Sequence, residues 1–505
     1  MTDRAIIADR SPRSPLAAAG LSFVFPGLGE YAAGERRRGV LVATPAFVLI
    51  TGAVGFVIGT AMGGGGGAVL ELLLRPELLI VLVVLDLLAL GYHLAAVADA
   101  WLVARRRSVA AGRRPGRIAI AGVALILVAT SFAHGSLAAI GLETEATLAE
   151  VFGGGTGQSG DDWSIPDTSF EPEDPPTPEP AATPTATPVG PAGSGEPASP
   201  VLTAAPTPTA VPVPAWARDG RLNLLLVGSD AGTGRWMLRT DTMVVLSVDV
   251  ESGRAAMFGI PRNIVNVPLP PESADAFENG RFPGMLNALY VYAWGHPSAF
   301  PGGQARGFRA LTGAVQELIG VRLDAFVAVD LRGFVKLVNA FDGLWIRVPE
   351  RIVDDRYPKV DGSGTTRIVI EAGCHRLSGS MALAYARSRH QDSDYGRMRR
   401  QQAVLLALRR QLDPLAVLER APELLRIAKD HLWTTLKRED LAGLAELAAR
   451  VDARRVASVR FVPPAYPEYL STADIKHIRK VVRHVFDDPP AESGTGPGGG
   501  GKACP

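Results

Sequence analysis

The sequence predicts an α/β protein, in which a layered α-β-α domain with a central mixed sheet is preceded by an α-helical transmembrane region. Three observations predict this fold. Long apolar segments recur within the first 142 residues, short strand-like runs alternate with helical patterns after residue 218, and a Pro/Thr/Ala-rich stretch separates the two parts. At 505 residues, the chain is too long for one ordinary domain.

Residues 1–142 are predicted to be a membrane region. Three segments are each long enough to cross a bilayer as a helix: 41–62, 78–104 and 118–142. Residues 15–34 are also apolar, but Pro26, Gly27 and Gly29 interrupt them, so they predict either a half-inserted hairpin or a fourth span. Because apolar segments keep recurring, a cleavable signal peptide is disfavoured.

Arginine counts in the loops predict the orientation of these spans. Three arginines precede the first span at 36–38, and six lie between the second and third spans within 105–117, whereas the loop 63–77 carries Arg75 alone. Arginine-rich loops stay on the cytoplasmic side of a membrane. We therefore expect everything after the third span to lie outside, as an extracytoplasmic domain.

Asp86 and His93 are ionisable residues within the second predicted span. They are seven residues apart and therefore share one helical face. Ionisable groups inside a membrane are functional candidates by default. Because no ordered series of such groups suggests a transport path, pairing within the helix bundle is the favoured interpretation.

Two segments are predicted to be disordered. Residues 143–217 form a Pro/Thr-rich linker with too few bulky apolar residues to bury a core, and residues 489–505 form a Gly-rich tail. The chain has two cysteines, Cys374 and Cys504, without the spacing of a zinc site or a redox motif. A disulfide between them is the less favoured interpretation, since Cys504 lies in the tail.

Residues 218–488 are predicted to be the globular domain. Six apolar runs bounded by turn residues predict its strands: 222–230, 242–250, 255–260, 325–331, 344–348 and 456–462. Helical spacing of apolar residues predicts its helices: 304–320, 333–341, 378–389, a long helix from about 396, most of 413–451, and 472–486. Strands that alternate with helices in this way favour a sheet covered by helices.

Charged side chains collect at three successive strand ends. Asp230 ends the first predicted strand, Asp241 begins the second and Arg262 follows the third, while Arg239 precedes Asp241 by two residues. Carboxylates at neighbouring strand ends can meet at one rim of a sheet, where two carboxylates with water and phosphate suit Mg²⁺. Each residue taken singly is better explained by a turn or a surface ion pair.

A second group of arginines surrounds the start of the long helix. Arg397 and Gln401 lie on the apolar stripe of this helix, whereas Arg409 lies off the stripe and is expected to be solvated. A core-facing arginine is costly unless it is paired. Arg387 and Arg389, at the end of the preceding helix, can point the same way. With the strand-end residues, this group predicts a pyrophosphate cradle, because guanidinium groups bind phosphate oxygens bidentately.

The order of these motifs resembles that of the LytR–CpsA–Psr family of cell-wall assembly proteins. The stretches that carry the resemblance are LLLVGSD, RTDTMVVLSVD, GIPRN, LNALY, LSGSMALAYARSR and DSDYGRMRRQQ. It covers about 222–412 and continues more weakly to about 488. The resemblance implies a membrane-anchored protein whose extracytoplasmic α/β domain, here 218–488, transfers glycopolymers from a polyprenyl pyrophosphate carrier to peptidoglycan.

The resemblance also implies roles for individual residues. Asp230 and Asp241 would hold Mg²⁺, and the apolar interior beside them would take the prenyl chain. Five arginines and one glutamine would bind the pyrophosphate: Arg239, Arg262, Arg387, Arg389, Arg397 and Gln401. Two positions depart from the family pattern, which usually has Asp where Asn263 stands and Lys where Met285 stands. The N-terminal region is also larger than the usual single membrane anchor.

Together, the residues and the resemblance predict a Mg²⁺-dependent phosphotransferase of the cell membrane, with Asp241, Arg239 and Arg262 as catalytic residues. Its partners would be the lipid bilayer, a polyprenyl pyrophosphate-linked glycopolymer, and peptidoglycan or another envelope glycan as acceptor. Two alternatives stay open: a polyprenyl pyrophosphate phosphatase, and a non-catalytic regulator of envelope assembly that binds the lipid carrier. Nucleic-acid binding is disfavoured because the net charge is only +1.

Overall fold

A computed structural model describes residues 14–74, 76–152, 219–230, 240–359, 363–388, 394–412, 414–452, 455–487, 494–495 and 504. These described residues fall into two compact units. The first unit contains those of Met1–Ser159, Lys336–Gly343 and Arg410–Ala449, and the second contains those of Gly160–Val335, Leu344–Arg409 and Arg450–Pro505. Most of the predicted linker, residues 153–217, lies outside the described residues.

The bounds of the helices and strands are as follows in the described residues. The α-helices are α1 (Pro15–Val24), α2 (Leu28–Ala32), α3 (Arg36–Leu74), α4 (Pro76–Ala110), α5 (Arg117–Phe152), α6 (Pro271–Ala274), α7 (Leu286–Gly295), α8 (Arg306–Ile319), α9 (Leu331–Ala340), α10 (Gly379–Arg387), α11 (Asp394–Gln411), α12 (Pro414–Glu419), α13 (Ala421–His431), α14 (Arg438–Arg450) and α15 (Thr472–His484). The strands are β1 (Arg221–Ser229), β2 (Thr240–Asp249), β3 (Ala255–Gly259), β4 (Val265–Pro268), β5 (Arg281–Met285), β6 (Ala325–Asp330), β7 (Leu344–Val348), β8 (Ile352–Pro358), β9 (Thr365–Ile370), β10 (Gly373–Leu377), β11 (Leu432–Thr434), β12 (Ala457–Arg460) and β13 (Gly494–Thr495).

Among the residues that the structure describes, three helices are long and apolar enough to cross a membrane. These candidate spans cover Arg36–Phe56 in α3, Leu78–Ala110 in α4 and Arg117–Phe152 in α5. Residues 15–34 form two short helices instead of a fourth span, since α1 has ten residues and a span needs about 17 or more. Gly27 occupies the break with a φ of 93°, a left-handed conformation that glycine adopts without steric cost.

The ionisable residues of the second span pair within the helix bundle, which is the interpretation the sequence favours. Asp86 Oδ1 lies 2.7 Å from His134 Nδ1, and His134 Nε2 lies 3.4 Å from His93 Nδ1. The other ring nitrogen of His93 lies 3.0 Å from the carbonyl oxygen of Phe23. This chain of polar contacts joins α1, α4 and α5, and it lowers the cost of placing polar side chains in an apolar bundle.

The third span continues as a helix beyond the predicted start of the linker. Residues 143–152, which the sequence analysis assigned to a disordered segment, belong to α5. Leu148 is buried there, and Glu145 forms a bidentate ion pair with Arg438 at the start of α14. The segment Arg410–Ala449 belongs to the same compact unit as the membrane helices.

The C-terminal tail is held at two points, which corrects two expectations from the sequence. Cys504 forms a disulfide with Cys374 in β10, and Gly494–Thr495 pair in antiparallel fashion with Ala457 and Ser458 of β12. Without this pairing β12 would present open backbone N–H and C=O groups, which attract another strand. Gly494 and Thr495 therefore cover this sheet edge, although the composition of the tail alone predicts disorder.

The second unit is built around a mixed sheet with the strand order β6–β1–β2–β3–β12–β13. β1 is parallel to β6 and antiparallel to β2, β2 is antiparallel to β3, and β3 is parallel to β12. All five residues of β3 are buried, so both faces of the sheet are covered, as in an α-β-α layered domain. The predicted fold class is confirmed.

Candidate active site

The strand register brings the predicted acidic pair to one edge of the sheet. Asp230 directly follows β1, and Asp241 is the second residue of β2. The antiparallel register pairs Ser229 with Thr240 next to a bulge, so the end of β1 and the start of β2 are neighbours. Arg262 follows β3, whose last residue, Gly259, pairs with Val244 of β2. The three predicted residues therefore leave the sheet at the same edge.

Asp241 and Arg262 form a direct ion pair. Arg262 Nη1 donates to Asp241 Oδ1 at 2.6 Å, and the side chains of Arg262 and Asp241 are 19% and 23% exposed, respectively. A charge-assisted hydrogen bond of this kind holds both groups in a fixed orientation. Because about a fifth of each side chain stays accessible, the pair can still contact a ligand that arrives from solvent.

The long helix α11 supplies the predicted buried arginine. Arg397 is 2% exposed and Gln401 is 7% exposed, which confirms that both lie on the inward stripe of the helix. The absence of a side chain on Gly259 allows this approach, since a Cβ there would lie 2.9 Å from Met398 Cε. The helix is thus packed against the end of β3, the strand that leads to Arg262.

A neighbouring glutamine fixes α11 to the next strand. Gln402 Oε1 accepts hydrogen bonds from Ser458 Oγ at 2.6 Å and from Arg460 Nη1 at 3.1 Å. Arg460 ends β12 opposite Gly259, so it adds a cation to the same sheet edge. Burial lowers the pKa of Arg460, and the nearby positive charge of Arg399 lowers it further. No sequence pattern singles out Gln402 or Arg460.

The helix α10 ends in Arg387, whose guanidinium group lies over the ring of Tyr357 at 5.8 Å from the ring centroid. Burial raises the pKa of Tyr357, and the positive charge of Arg387 acts in the opposite direction. Ser388 Oγ donates to Asp354 Oδ2 at 3.0 Å, and Arg400 Nε donates to the carbonyl of Tyr385 at 2.8 Å. These contacts fix the end of α10 against β8.

The structure brings some of the predicted site residues together, whereas others lie elsewhere or outside the described residues. The structure joins Asp241 to Arg262 directly and places Arg397 and Gln401 on the helix that packs at the same sheet edge. Arg387 is described against Tyr357. Arg239 and Arg389 lie outside the described residues, so their assignment to the pyrophosphate cradle stays a prediction.

The donor set at the sheet edge is compatible with Mg²⁺. Asp230 and Asp241 offer carboxylate oxygens from neighbouring strand ends, and Mg²⁺ is usually bound by one or two carboxylates with waters and substrate phosphates. Among the residues that the structure describes, no group of three or more His, Cys, Asp or Glu forms an all-protein metal site. Two carboxylates leave coordination positions that waters and substrate phosphates would fill.

The two departures from the family pattern occupy different environments. Asn263 follows Arg262, and its Nδ2 donates to Glu468 Oε1 at 2.7 Å. Met285 ends β5 at the N-cap of α7 and is 54% exposed, so its side chain contributes little to the core. The hydrogen bond of Asn263 shows that a carboxylate from a distant segment lies next to the predicted cradle, a feature that no local pattern indicated.

Comparisons with known proteins agree on one family. The model of the LytR_cpsA_psr family matches residues 199–473. The chain is 24% identical over 225 residues to Biofilm regulatory protein A of Streptococcus mutans, covering 43% of this chain and 50% of that protein. It is 26% identical over 221 residues to Regulatory protein MsrR of Staphylococcus aureus, covering 43% and 57%. The chain therefore spans about half the length of these relatives.

A comparison with solved structures finds B. subtilis TagV, at 21% sequence identity and a TM-score of 0.39. The matched part covers 54% of this chain and 98% of the TagV chain.

Proposed function

Because the chain belongs to the LytR–CpsA–Psr family, we propose that it is a membrane-anchored phosphotransferase that moves a glycopolymer from a polyprenyl pyrophosphate carrier to an envelope acceptor such as peptidoglycan. The observation that carries this proposal is the ion pair of Asp241 and Arg262 at the sheet edge against which α11 packs with the buried Arg397. An accessible carboxylate–arginine pair, with a further arginine on the helix that packs at the same sheet edge, suits a strongly anionic substrate.

The chemistry follows from the charges at this edge. Arg262, Arg387 and Arg397 bind the pyrophosphate oxygens and stabilise the charge that develops there as the bond between the two phosphates breaks. A hydroxyl of the acceptor attacks the phosphorus attached to the glycopolymer, and its proton passes to the Asp241 carboxylate. The carrier leaves as polyprenyl phosphate. Asp230 and Asp241 would hold Mg²⁺, whose charge helps to neutralise the pyrophosphate.

A direct assay separates the three candidate activities. The full chain in detergent or liposomes is given a lipid-linked glycopolymer labelled in the polymer, with and without an acceptor glycan. Transfer predicts labelled acceptor and polyprenyl phosphate that appear together only when acceptor is present. Release of polyprenyl phosphate at the same rate without acceptor would identify a phosphatase, and binding without turnover would identify a regulator; either result would overturn the proposed transfer.

We propose further that the chain is multi-pass and that residues 218–488 form the catalytic domain on the extracytoplasmic side. Two observations support this placement. Arginines concentrate in the loops before the first span and between the second and third spans. The disulfide between Cys374 and Cys504 is typical of an oxidising compartment outside the cytoplasm.

Cysteine labelling tests the orientation. Because the two native cysteines are joined in a disulfide, a single introduced cysteine reports its own accessibility. We expect a membrane-impermeant maleimide to label Glu251→Cys, at an exposed turn after β2, in intact cells. Ala111→Cys, at an exposed turn after α4, should react only after the cells are permeabilised. The reverse pattern would place the domain in the cytoplasm.

A further inference from the structure

An exposed carboxylate outside the predicted cradle accepts two hydrogen bonds on one oxygen. Glu468 Oε1 accepts from Asn263 Nδ2 at 2.7 Å and from the hydroxyl of Tyr395 at 2.8 Å. Glu468 belongs to the segment between β12 and α15, and it is 205 residues from Asn263 in sequence. Two donors from separate elements therefore meet at a single carboxylate.

The backbone around Glu468 is also held in place. The carbonyl of Glu468 accepts from the N–H of Val265 at 2.8 Å, and the N–H of Leu470 donates to the carbonyl of Val265 at 3.1 Å. Asn266 Nδ2 donates to the carbonyl of Leu470 at 2.7 Å. A single parallel bridge, between Val265 and Tyr469, thus joins the segment to β4, so the fold fixes the backbone on either side of Glu468.

The two donors are close in sequence to the arginines of the proposed cradle. Asn263 is next to Arg262, which forms the ion pair with Asp241. Tyr395 lies in the first turn of α11, two residues before the buried Arg397. Glu468 therefore connects the loop that carries one phosphate-binding arginine to the helix that carries another.

Asn263 and Glu468 depend on each other electrostatically. Asn263 carries an amide group that donates to the Glu468 carboxylate. An Asp at 263 would instead place two carboxylates within hydrogen-bond distance, which disfavours ionisation of both at once. The contact therefore requires one carboxylate and one amide.

We propose that Glu468 is a positioning residue for the transfer reaction. Through Asn263 and Tyr395, it holds the loop of Arg262 and the helix of Arg397 at the spacing that a pyrophosphate requires. This inference depends on the proposed function, since the reaction that is tested is glycopolymer transfer.

A charge exchange between the two positions tests the inference. Transfer is measured with the wild-type full chain and with three variants: Glu468→Gln, Asn263→Asp and the double variant. We expect kcat/KM to fall about tenfold in Glu468→Gln, because a charge-assisted hydrogen bond is lost, and to fall in Asn263→Asp, because two carboxylates then meet. The double variant again pairs one carboxylate with one amide, and we expect its kcat/KM to lie within about threefold of wild type.

The controls separate a positioning role from a general effect on folding. Glu350→Gln changes another exposed glutamate of the same unit and should leave transfer unchanged, and thermal unfolding is measured for every variant. If Glu468→Gln has wild-type kcat/KM, or if the double variant is as impaired as the single ones, the inference is wrong. If the wild-type chain itself transfers no glycopolymer, the proposed function has failed instead.

Discussion

Replacement of Asp241 by asparagine is expected to lower glycopolymer transfer by at least about 100-fold while the domain stays folded. The side chain of Asp241 accepts from Arg262 at 2.6 Å and shares the sheet edge with Asp230. Asparagine keeps the shape but removes the charge that orients Arg262. In the proposed mechanism, this charge would also take up the acceptor proton and help to hold Mg²⁺. Loss of one preorganised electrostatic contact to a transition state typically costs about 100-fold to 1,000-fold in rate.

A matched control lies at the opposite end of the same strand. Asp249 ends β2, and its Oδ1 accepts from the N–H of Ser252 at 2.7 Å in a turn. Asp249→Asn should reduce stability slightly and leave the rate of transfer unchanged. Rates are measured with the labelled lipid-linked substrate at several Mg²⁺ concentrations. If Asp241→Asn retained most of the wild-type rate at saturating Mg²⁺, this carboxylate would have no part in the chemistry.

The acidic pair could be predicted because its position depends on local patterns. Asp230 and Asp241 flank two apolar runs of strand length, and adjacent strands bring their ends together. The structure bears out the strands, with β1 and β2 shifted by one or two residues from the predicted bounds. The inward stripe of α11 is likewise a local property, so the burial of Arg397 followed from helical periodicity.

Features that depend on distant partners could not be predicted. Glu468 meets Asn263 across 205 residues of sequence, and no spacing rule connects the two. Arg409 was expected to be solvated, but it is half-buried and donates to the carbonyl of Val451 at 3.0 Å, because the chain folds back beside α11. The Gly-rich tail shows the same limitation, since its composition predicts disorder while its cysteine is joined to Cys374.

Arg397→Lys is expected to lower kcat/KM for transfer about tenfold or more, although it keeps the positive charge. Arg397 is 2% exposed, so its side chain is held by packing and cannot be re-aimed as a surface residue can. Arginine presents a planar fork that binds two phosphate oxygens at once, whereas lysine offers a compact point charge. A fall in kcat/KM in this variant therefore reports on the geometry of the phosphate contact and not on net charge. We expect the fall to arise mainly from a weaker affinity for the pyrophosphate carrier.

The same helix provides the control for this substitution. Arg410 is exposed near the end of α11, and Arg410→Lys should leave both kcat and KM at their wild-type values. Thermal unfolding of Arg397→Lys should remain close to that of wild type, because a buried cation replaces a buried cation. If Arg397→Lys transfers glycopolymer as well as wild type, a bidentate contact to phosphate is excluded at this position, since a point charge would then serve equally well. The proposed pyrophosphate cradle predicts that Arg397→Lys stays folded and has a raised KM.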